Sequence, residues 1–204
     1  MKNVIIIHSY NGDTEKSFAP SIEGICREND INYYFPHFPI RSEATYESWE
    51  KVLDEYRDKG LLNSDSIVIS HSLGTQFIIK YLAKNNINID TYISVAGFVN
   101  FKGREDLERI LSPFAPTDEE FNKCRNLIAN RYSVYSDNDE LNSVEKLEGY
   151  ADKLSAEKIL IEGAGHFNPK SGITEVESIN EIIRNKKLHM WSVVLLFFCN
   201  IIYS

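Results

Sequence analysis

Cysteine is scarce in this chain. Cys26, Cys124 and Cys199 lie far apart with no CxxC pair. An odd, unpaired set argues against a disulfide framework and against a structural zinc site. The amino terminus is also poor in apolar length: Met1-Lys2-Asn3 leads into Val4–Ile7 and then His8. A secretory leader needs roughly 7–15 apolar residues at that point, so none is expected, and a reducing, cytoplasmic setting is the simplest expectation. Base is short against acid, 22 Lys and Arg facing 30 Asp and Glu, for a formal charge of −8. The clustered cations that wrap a phosphate backbone are missing, so nucleic acid is not an expected partner. No internal repeat occurs, and ten Gly and six Pro scattered over 204 residues exclude a collagen-like or low-complexity chain.

What is present is an alternation of two patterns. Val4–Ile7, Ile31–Phe35, Ser66–Ile69, Tyr92–Ala96, Tyr132–Tyr135 and Lys158–Ile161 are short runs rich in Val, Ile and aromatics. Several are apolar at consecutive positions, as strands covered on both faces are. Amphipathic stretches fall between them. Thr45-x-x-Ser48 opens a stripe of Trp49, Val52, Leu53 and Tyr56, closed by Gly60. Thr117-x-x-Glu120 is a capping box before Phe121, Cys124 and Leu127. Further helices are expected from Leu73 to Lys84, from Ser143 through Leu154, and from Ile173 to Ile183. Strands alternating with helices imply right-handed crossovers. The expected class is α/β: a doubly wound, mostly parallel sheet of about six strands with helices on both faces. Residues 1–185 are expected to form this domain and 186–204 an apolar tail. Residues 97–117, with Phe98, Phe101 and Phe114, are a long aromatic excursion and a candidate lid.

In an open α/β sheet, ligands bind beyond the carboxyl ends of the strands. Ser70-His71-Ser72-Leu73-Gly74 stands there, between a strand and a helix. A sharp strand–turn–helix corner would expose the Ser72 hydroxyl and aim the Leu73 N–H, at the helix N-terminus, toward a developing oxyanion. Small residues are required two positions either side; Gly74 suits this, and Ser70 replaces the usual glycine. A serine that merely caps a helix is the plainer reading. Serine needs a base, and in this architecture the order along the chain is Ser, acid, His. His8 and His37 come too early, His189 lies in the apolar tail, and His71 adjoins Ser72 and is read as packing. His166 remains, in Gly163-Ala164-Gly165-His166-Phe167 after the last strand. The acid that orients the imidazole should follow the preceding strand, where Asp137 and Asp139 are both available, and spacing alone does not choose between them.

These motifs together resemble the small α/β-hydrolase-fold serine hydrolases of the YdeN and retinoblastoma-binding-protein-nine type, over residues 3–185. The likeness rests on Val4–His8 with Ser9-Tyr10-Asn11-Gly12, on His71-Ser72-Leu73-Gly74, on Ser136-Asp137-Asn138-Asp139 and on Gly165-His166-Phe167-Asn168. In that group the catalytic acid is the second Asp of the turn, with the His 27 residues on, the separation of Asp139 from His166 here. The resemblance thus implies Asp139, with Asp137 as runner-up. It also implies a second oxyanion donor from the loop after the first strand, the N–H of Tyr10 or Ser9. Two positions depart from the group: Ser9 stands where the first loop has Gly, and Ser70 where the elbow does. Each oxyanion donor is worth about 3 kcal/mol, so these departures bear on rate more than on reaction type. The Leu-x-Cys-x-Glu motif of the human relative is not matched, since Gly24-Ile25-Cys26-Arg27-Glu28 lacks the leucine, and no retinoblastoma-type binding is carried over.

The expected chemistry is acyl transfer to water from a small-molecule ester, thioester or activated amide, requiring no metal or organic cofactor. Phe18, Phe98, Phe101 and Phe114 are expected to line an apolar acyl site, the alternative being that they plug the core. A different class stays open: a binding protein on this fold with a vestigial triad. No oligomeric state is read from the sequence. For the tail, residues 188–203 would reach about 24 Å as a helix, short of a bilayer core of about 30 Å. Docking on the domain or on a second subunit, a membrane anchor, and an appendage without a role all remain open for it.

Overall fold

The computed structural model describes residues 2–101 and 105–186. Six strands, β1 (Asn3–Ile7), β2 (Asn32–Tyr34), β3 (Ile67–His71), β4 (Ile89–Val95), β5 (Ile128–Tyr135) and β6 (Glu157–Leu160), form one sheet in the order β2-β1-β3-β4-β5-β6. Every pairing is parallel. The helices are α1 (Ala19–Glu28), α2 (Tyr46–Asp58), α3 (Leu73–Asn85), α4 (Glu105–Leu111), α5 (Asp118–Leu127) and α6 (Val144–Leu154). A seventh, α7, covers residues 177–186. The expected doubly wound α/β class is therefore observed, with all six strands at the places their apolar runs indicate.

Side-chain alternation decides which helix covers which face. Val4, Ile6, Ile67, Ile69, Ile93 and Val95 pack with Ile22 and Ile25 of α1 and Ile179 and Ile183 of α7. Ile5, Ile7, Val68 and Tyr92 point the other way, toward Trp49 and Leu53 of α2, Phe77 and Ile78 of α3, and Phe121 of α5. Burying each such side chain stabilises the fold by about 1.5–3 kcal/mol. Both capping boxes form: Thr45 with Ser48, and Thr117 with Glu120, each bond reciprocated. Ser143 stands at the start of α6 without a side-chain cap bond. The last helix begins later than expected: Gly172, at φ 71°, ends a 3₁₀ turn at Pro169–Ser171, and 173–176 stand outside any helix or strand. The expected apolar tail at 188–203 lies outside the described residues. Among the described residues no helix is long and apolar enough to cross a membrane.

Strand order reverses between β1 and β3, so the loops after these two strands splay apart and leave a crevice at their carboxyl ends. The start of α3 crosses the end of β1 very closely. A Cβ on Gly74 would lie 2.7 Å from the Ile7 carbonyl oxygen and 2.8 Å from that of His8. Both are backbone atoms, which cannot swing aside. Gly24, inside α1, has open space around its Cβ position. Gly74→Ala should therefore lower the unfolding free energy by about 1–3 kcal/mol, while Gly24→Ala should raise it by about 0.5–1 kcal/mol, both read from urea midpoints.

Two histidines are buried beside this crevice, His8 and His71. Burial, and then the neighbouring His166, pushes the His71 pKa down to about 3. Burial likewise lowers that of His8. The unfolded chain holds these rings near 6.5 and so binds more protons at lower pH. Their contribution to stability is complete above about pH 6.5 and is lost progressively as pH falls from there toward 3. Urea unfolding at about pH 7 and about pH 5 should show the loss, and His71→Gln should reduce the difference.

Candidate active site

Ser72 follows β3 directly and carries φ 52° and ψ −117°, a conformation that L-residues with a side chain seldom adopt. Its backbone is pinned on both sides. Its N–H donates to the Val95 carbonyl at 3.0 Å, and its own carbonyl accepts the Thr75 N–H at 2.9 Å and the Thr75 hydroxyl at 2.6 Å. Ser70, in place of the usual glycine, is fully buried. Its hydroxyl lies 2.7 Å from the Tyr92 hydroxyl, which lies 2.8 Å from that of Tyr150, which donates to the Thr75 carbonyl at 2.8 Å. The extra hydroxyl thus joins a chain that returns to α3 at the turn following Ser72. Tyr150 fits there because Gly97 has no side chain; a Cβ at Gly97 would come within 2.6 Å of its ring.

The loop after β6 is held to the loop after β5 residue against residue. Asp137 Oδ1 accepts the Gly163 N–H at 2.8 Å, Ser136 Oγ accepts that of Ala164 at 2.9 Å, and Asn138 Oδ1 accepts that of Gly165 at 2.7 Å. The fourth pair is Asp139 Oδ2 with His166 Nδ1, at 2.7 Å. Gly163 and Gly165 take φ of 72° and 55° to follow this path, which glycine adopts without strain. Of the two acids left open by spacing, Asp139 therefore carries the bond to His166, and Asp137 anchors the loop. The other Asp139 oxygen accepts the N–H groups of Leu141 and Asn142 at 2.8 and 3.0 Å. On the opposite side of the imidazole, His166 Nε2 lies 2.9 Å from Ser72 Oγ. The structure thus brings Ser72, His166 and Asp139 into one hydrogen-bonded line. With Nδ1–H fixed on the carboxylate, bare Nε2 faces the hydroxyl and can take its proton.

Leu73 begins α3, so its N–H has no intrahelical acceptor, and Leu73 lines the crevice together with Ser72. In the loop after β1, the two named donors part ways. The Ser9 N–H donates to Thr14 Oγ1 at 3.1 Å, so it is occupied and the expectation for Ser9 is corrected. Among the described residues the Tyr10 N–H makes no hydrogen bond, and Tyr10 lines the crevice.

That crevice is a small cleft, partly open to solvent, onto which Ser72, His166, Leu73 and Tyr10 face. Phe98 and Phe101 line it; Phe18 and Phe114 do not. Phe18 lies on the α1 side of the sheet, edge-on to His71. Phe114 is fully buried against Tyr46 and Trp49. For these two the core alternative holds, since Phe18 belongs to the buried cluster on the α1 face of the sheet and Phe114 to the one on the α3 face. The excursion at 97–117 contains α4, whose Leu107 and Leu111 complete the apolar wall. Gln76 of α3 ties the excursion down by donating to the Phe98 carbonyl. Asn11, Asn142 and Asn168 form a polar wall. In the sequence, Asn11 and Asn168 stand out only as parts of motifs and none of these five residues is assigned to the wall, although the α4 leucines at i and i+4 carry a helical signal. Among the described residues no group of His, Cys, Asp and Glu is arranged to hold a metal ion.

Solved structures share this architecture. The ydeN gene product of B. subtilis superposes with a TM-score of 0.79 at 19% identity, covering 91% of this chain and 98% of that one. A YdeN-like hydrolase from Pectobacterium atrosepticum gives 0.64 at 15% identity, over 92% and 91%. A structure from a study of carboxylesterases of the thaumarchaeon Nitrososphaera gargenis gives 0.59 at 10% identity, over 99% and 91%. These likenesses establish the α/β-hydrolase fold. Comparison with curated proteins returned no match. The family model described as serine hydrolase matches residues 36–185, most of the chain and a span that includes Ser72, Asp139 and His166. The chain belongs to the serine hydrolase family.

Proposed function

We propose that this serine hydrolase cleaves ester-type bonds, whether carboxylester, thioester or activated amide, by way of an acyl group carried on Ser72. The observation that carries the reading is the unbroken line from Asp139 Oδ2 through His166 to Ser72 Oγ, with bonds of 2.7 and 2.9 Å, opening onto a cleft with an apolar wall. The carboxylesterase subject of one fold neighbour lends support.

The steps follow from the atoms. His166 Nε2 takes the Ser72 proton as Oγ attacks the substrate carbonyl carbon. The N–H groups of Leu73 and Tyr10 donate to the oxygen that becomes negative, and backbone donors need no reorganisation to do so. Collapse of the tetrahedral species expels the leaving group, which takes the proton from His166. Water then attacks the acyl carbon, giving its proton to His166, and a second collapse returns that proton to Ser72 and frees the acid. Asp139 remains a carboxylate throughout, holding the Nδ1–H and stabilising the imidazolium. Phe98, Phe101, Leu107 and Leu111 contact the acyl group.

Three outcomes check this reading. A fluorophosphonate probe should label the wild-type chain and fail to label Ser72→Ala, with ester turnover lost in the same variant; a wild-type chain that does not label overturns the proposal. Asp139→Asn should lower kcat by roughly 10³–10⁴-fold, because the amide favours the wrong tautomer of His166, as seen in steady-state assays on p-nitrophenyl butyrate. Phe101→Ala should shift preference toward bulkier acyl groups. Phe114→Ala should instead leave selectivity unchanged and cost about 3–5 kcal/mol of stability.

A further inference from the structure

His71 has no part in the proton transfers of the proposed reaction, yet both of its ring nitrogens are engaged. Nε2 lies 2.8 Å from the backbone carbonyl oxygen of His166, and Nδ1 lies 2.9 Å from Thr14 Oγ1. A carbonyl oxygen only accepts, so Nε2 carries the hydrogen. Burial, with the nearby His166 as the second cause, keeps the ring neutral down to about pH 3, so Nδ1 is bare and accepts. The Thr14 hydroxyl therefore donates to it, and the Thr14 oxygen accepts the Ser9 N–H at 3.1 Å. One carbonyl at the far end thus sets the direction of every bond. Thr14 is fully buried and His71 nearly so.

We propose that Thr14 and His71 are positioning residues: a hydrogen-bond line from the Ser9 N–H, through Thr14 Oγ1 and the His71 ring, to the His166 carbonyl aligns the loop after β1 and the loop after β6 on Ser72 together. The inference rests on the serine-hydrolysis reading and extends it to residues that never touch substrate. Two consequences follow from the bonds. Occupying the Ser9 N–H makes the adjacent Tyr10 N–H the one left to receive a developing oxyanion. Grasping the His166 carbonyl fixes that residue from behind while Asp139 fixes its ring, so main chain and side chain are both held. A neutral His71 suits this place, since its ring centroid is 5.2 Å from that of His166, where a second cation would oppose the imidazolium formed during turnover.

The test uses the full chain with p-nitrophenyl butyrate turnover, fluorophosphonate labelling and thermal melting. Thr14→Val keeps the shape and removes the hydroxyl; Thr14→Ser restores it. Thr14→Val should lower kcat by roughly ten- to a hundredfold with KM within about twofold, because misplaced donors weaken the transition state more than the ground state. Thr14→Ser should recover most of the loss. A wild-type kcat in Thr14→Val overturns the proposal, and so does a loss that Thr14→Ser fails to recover while melting like wild type. Should Thr14→Val prove too unstable to purify, His71→Leu serves in its place: its side chain offers Thr14 no acceptor and the His166 carbonyl no donor. It should show the same fall in kcat at constant KM, and a wild-type kcat there is equally fatal. If the wild type neither labels nor turns over ester, the hydrolysis reading falls and this proposal with it. If the wild type does both and Thr14→Val matches it, the positioning proposal alone falls.

Discussion

The strained turn at Ser72 is the constraint around which the rest is arranged. A serine at φ 52° and ψ −117° stores of order 1–3 kcal/mol, and such a conformation persists only where its surroundings over-determine it. Here they do. The Val95 carbonyl holds the N–H, while Thr75 holds the carbonyl with both its N–H and its hydroxyl. Gly74 lets α3 start against the backbone of β1, closer than any side chain permits. The strain is thus balanced by packing of the sheet itself. The reward is geometric: the hydroxyl stands clear of both strand and helix, at the point where the strand order reverses and the crevice opens.

The remaining parts are positioned by side chains bonding to backbone, which suits loops that have no ladder of their own. Ser136, Asp137 and Asn138 each accept one N–H from the loop that bears His166. That satisfies three backbone donors which would otherwise be costly wherever water is excluded. Asp139 repeats the pattern within its own loop through Leu141 and Asn142. Three N–H donors, those of Leu141, Asn142 and His166, thus meet the Asp139 carboxylate, whose side chain is fully shielded from solvent. Its charge therefore faces the imidazole without competition from solvent.

Much of this was legible in the sequence, and the reasons are specific. The strands announce themselves because both faces are covered, so Val4–Ile7 and Ser66–Ile69 read as continuous apolar runs. α2 and α5 are legible because Thr45 and Thr117 carry their caps in the side chain. The order Ser, acid, His follows from the architecture, while Asp139 is singled out from Asp137 only by the family resemblance. α1 was not marked, because Pro20 and Gly24 read as punctuation; Pro20 occupies the first turn, where it is tolerated, and burial of Ile22 and Ile25 outweighs the glycine. Phe18 and Phe114 were misplaced because a sequence shows that an aromatic sits in a loop but not which side of the sheet that loop falls on. The Ser9 donor was misread for a related reason. Its N–H is taken by Thr14, whose hydroxyl is in turn engaged by His71, and bonds between side chains 57 residues apart leave no periodic trace.

The two serines that stand where the resembled group has glycine show how such a site can accommodate an added hydroxyl. Ser9 Oγ accepts the Asp13 N–H, and Ser70 Oγ meets Tyr92. Each added hydroxyl was given a partner within the scaffold and so imposes no unsatisfied polar group. The oxyanion donors of the proposed reaction are main-chain N–H groups of Leu73 and Tyr10, whose directions depend on backbone torsions and not on the side chains of their neighbours. A substitution is thus acceptable near the site so long as its polar atom is paired and the torsions survive. By the same logic, a residue remote from substrate matters where it sets those torsions. Thr14 fits that description because its single hydroxyl is shared between the first loop and the residue that precedes Ser72.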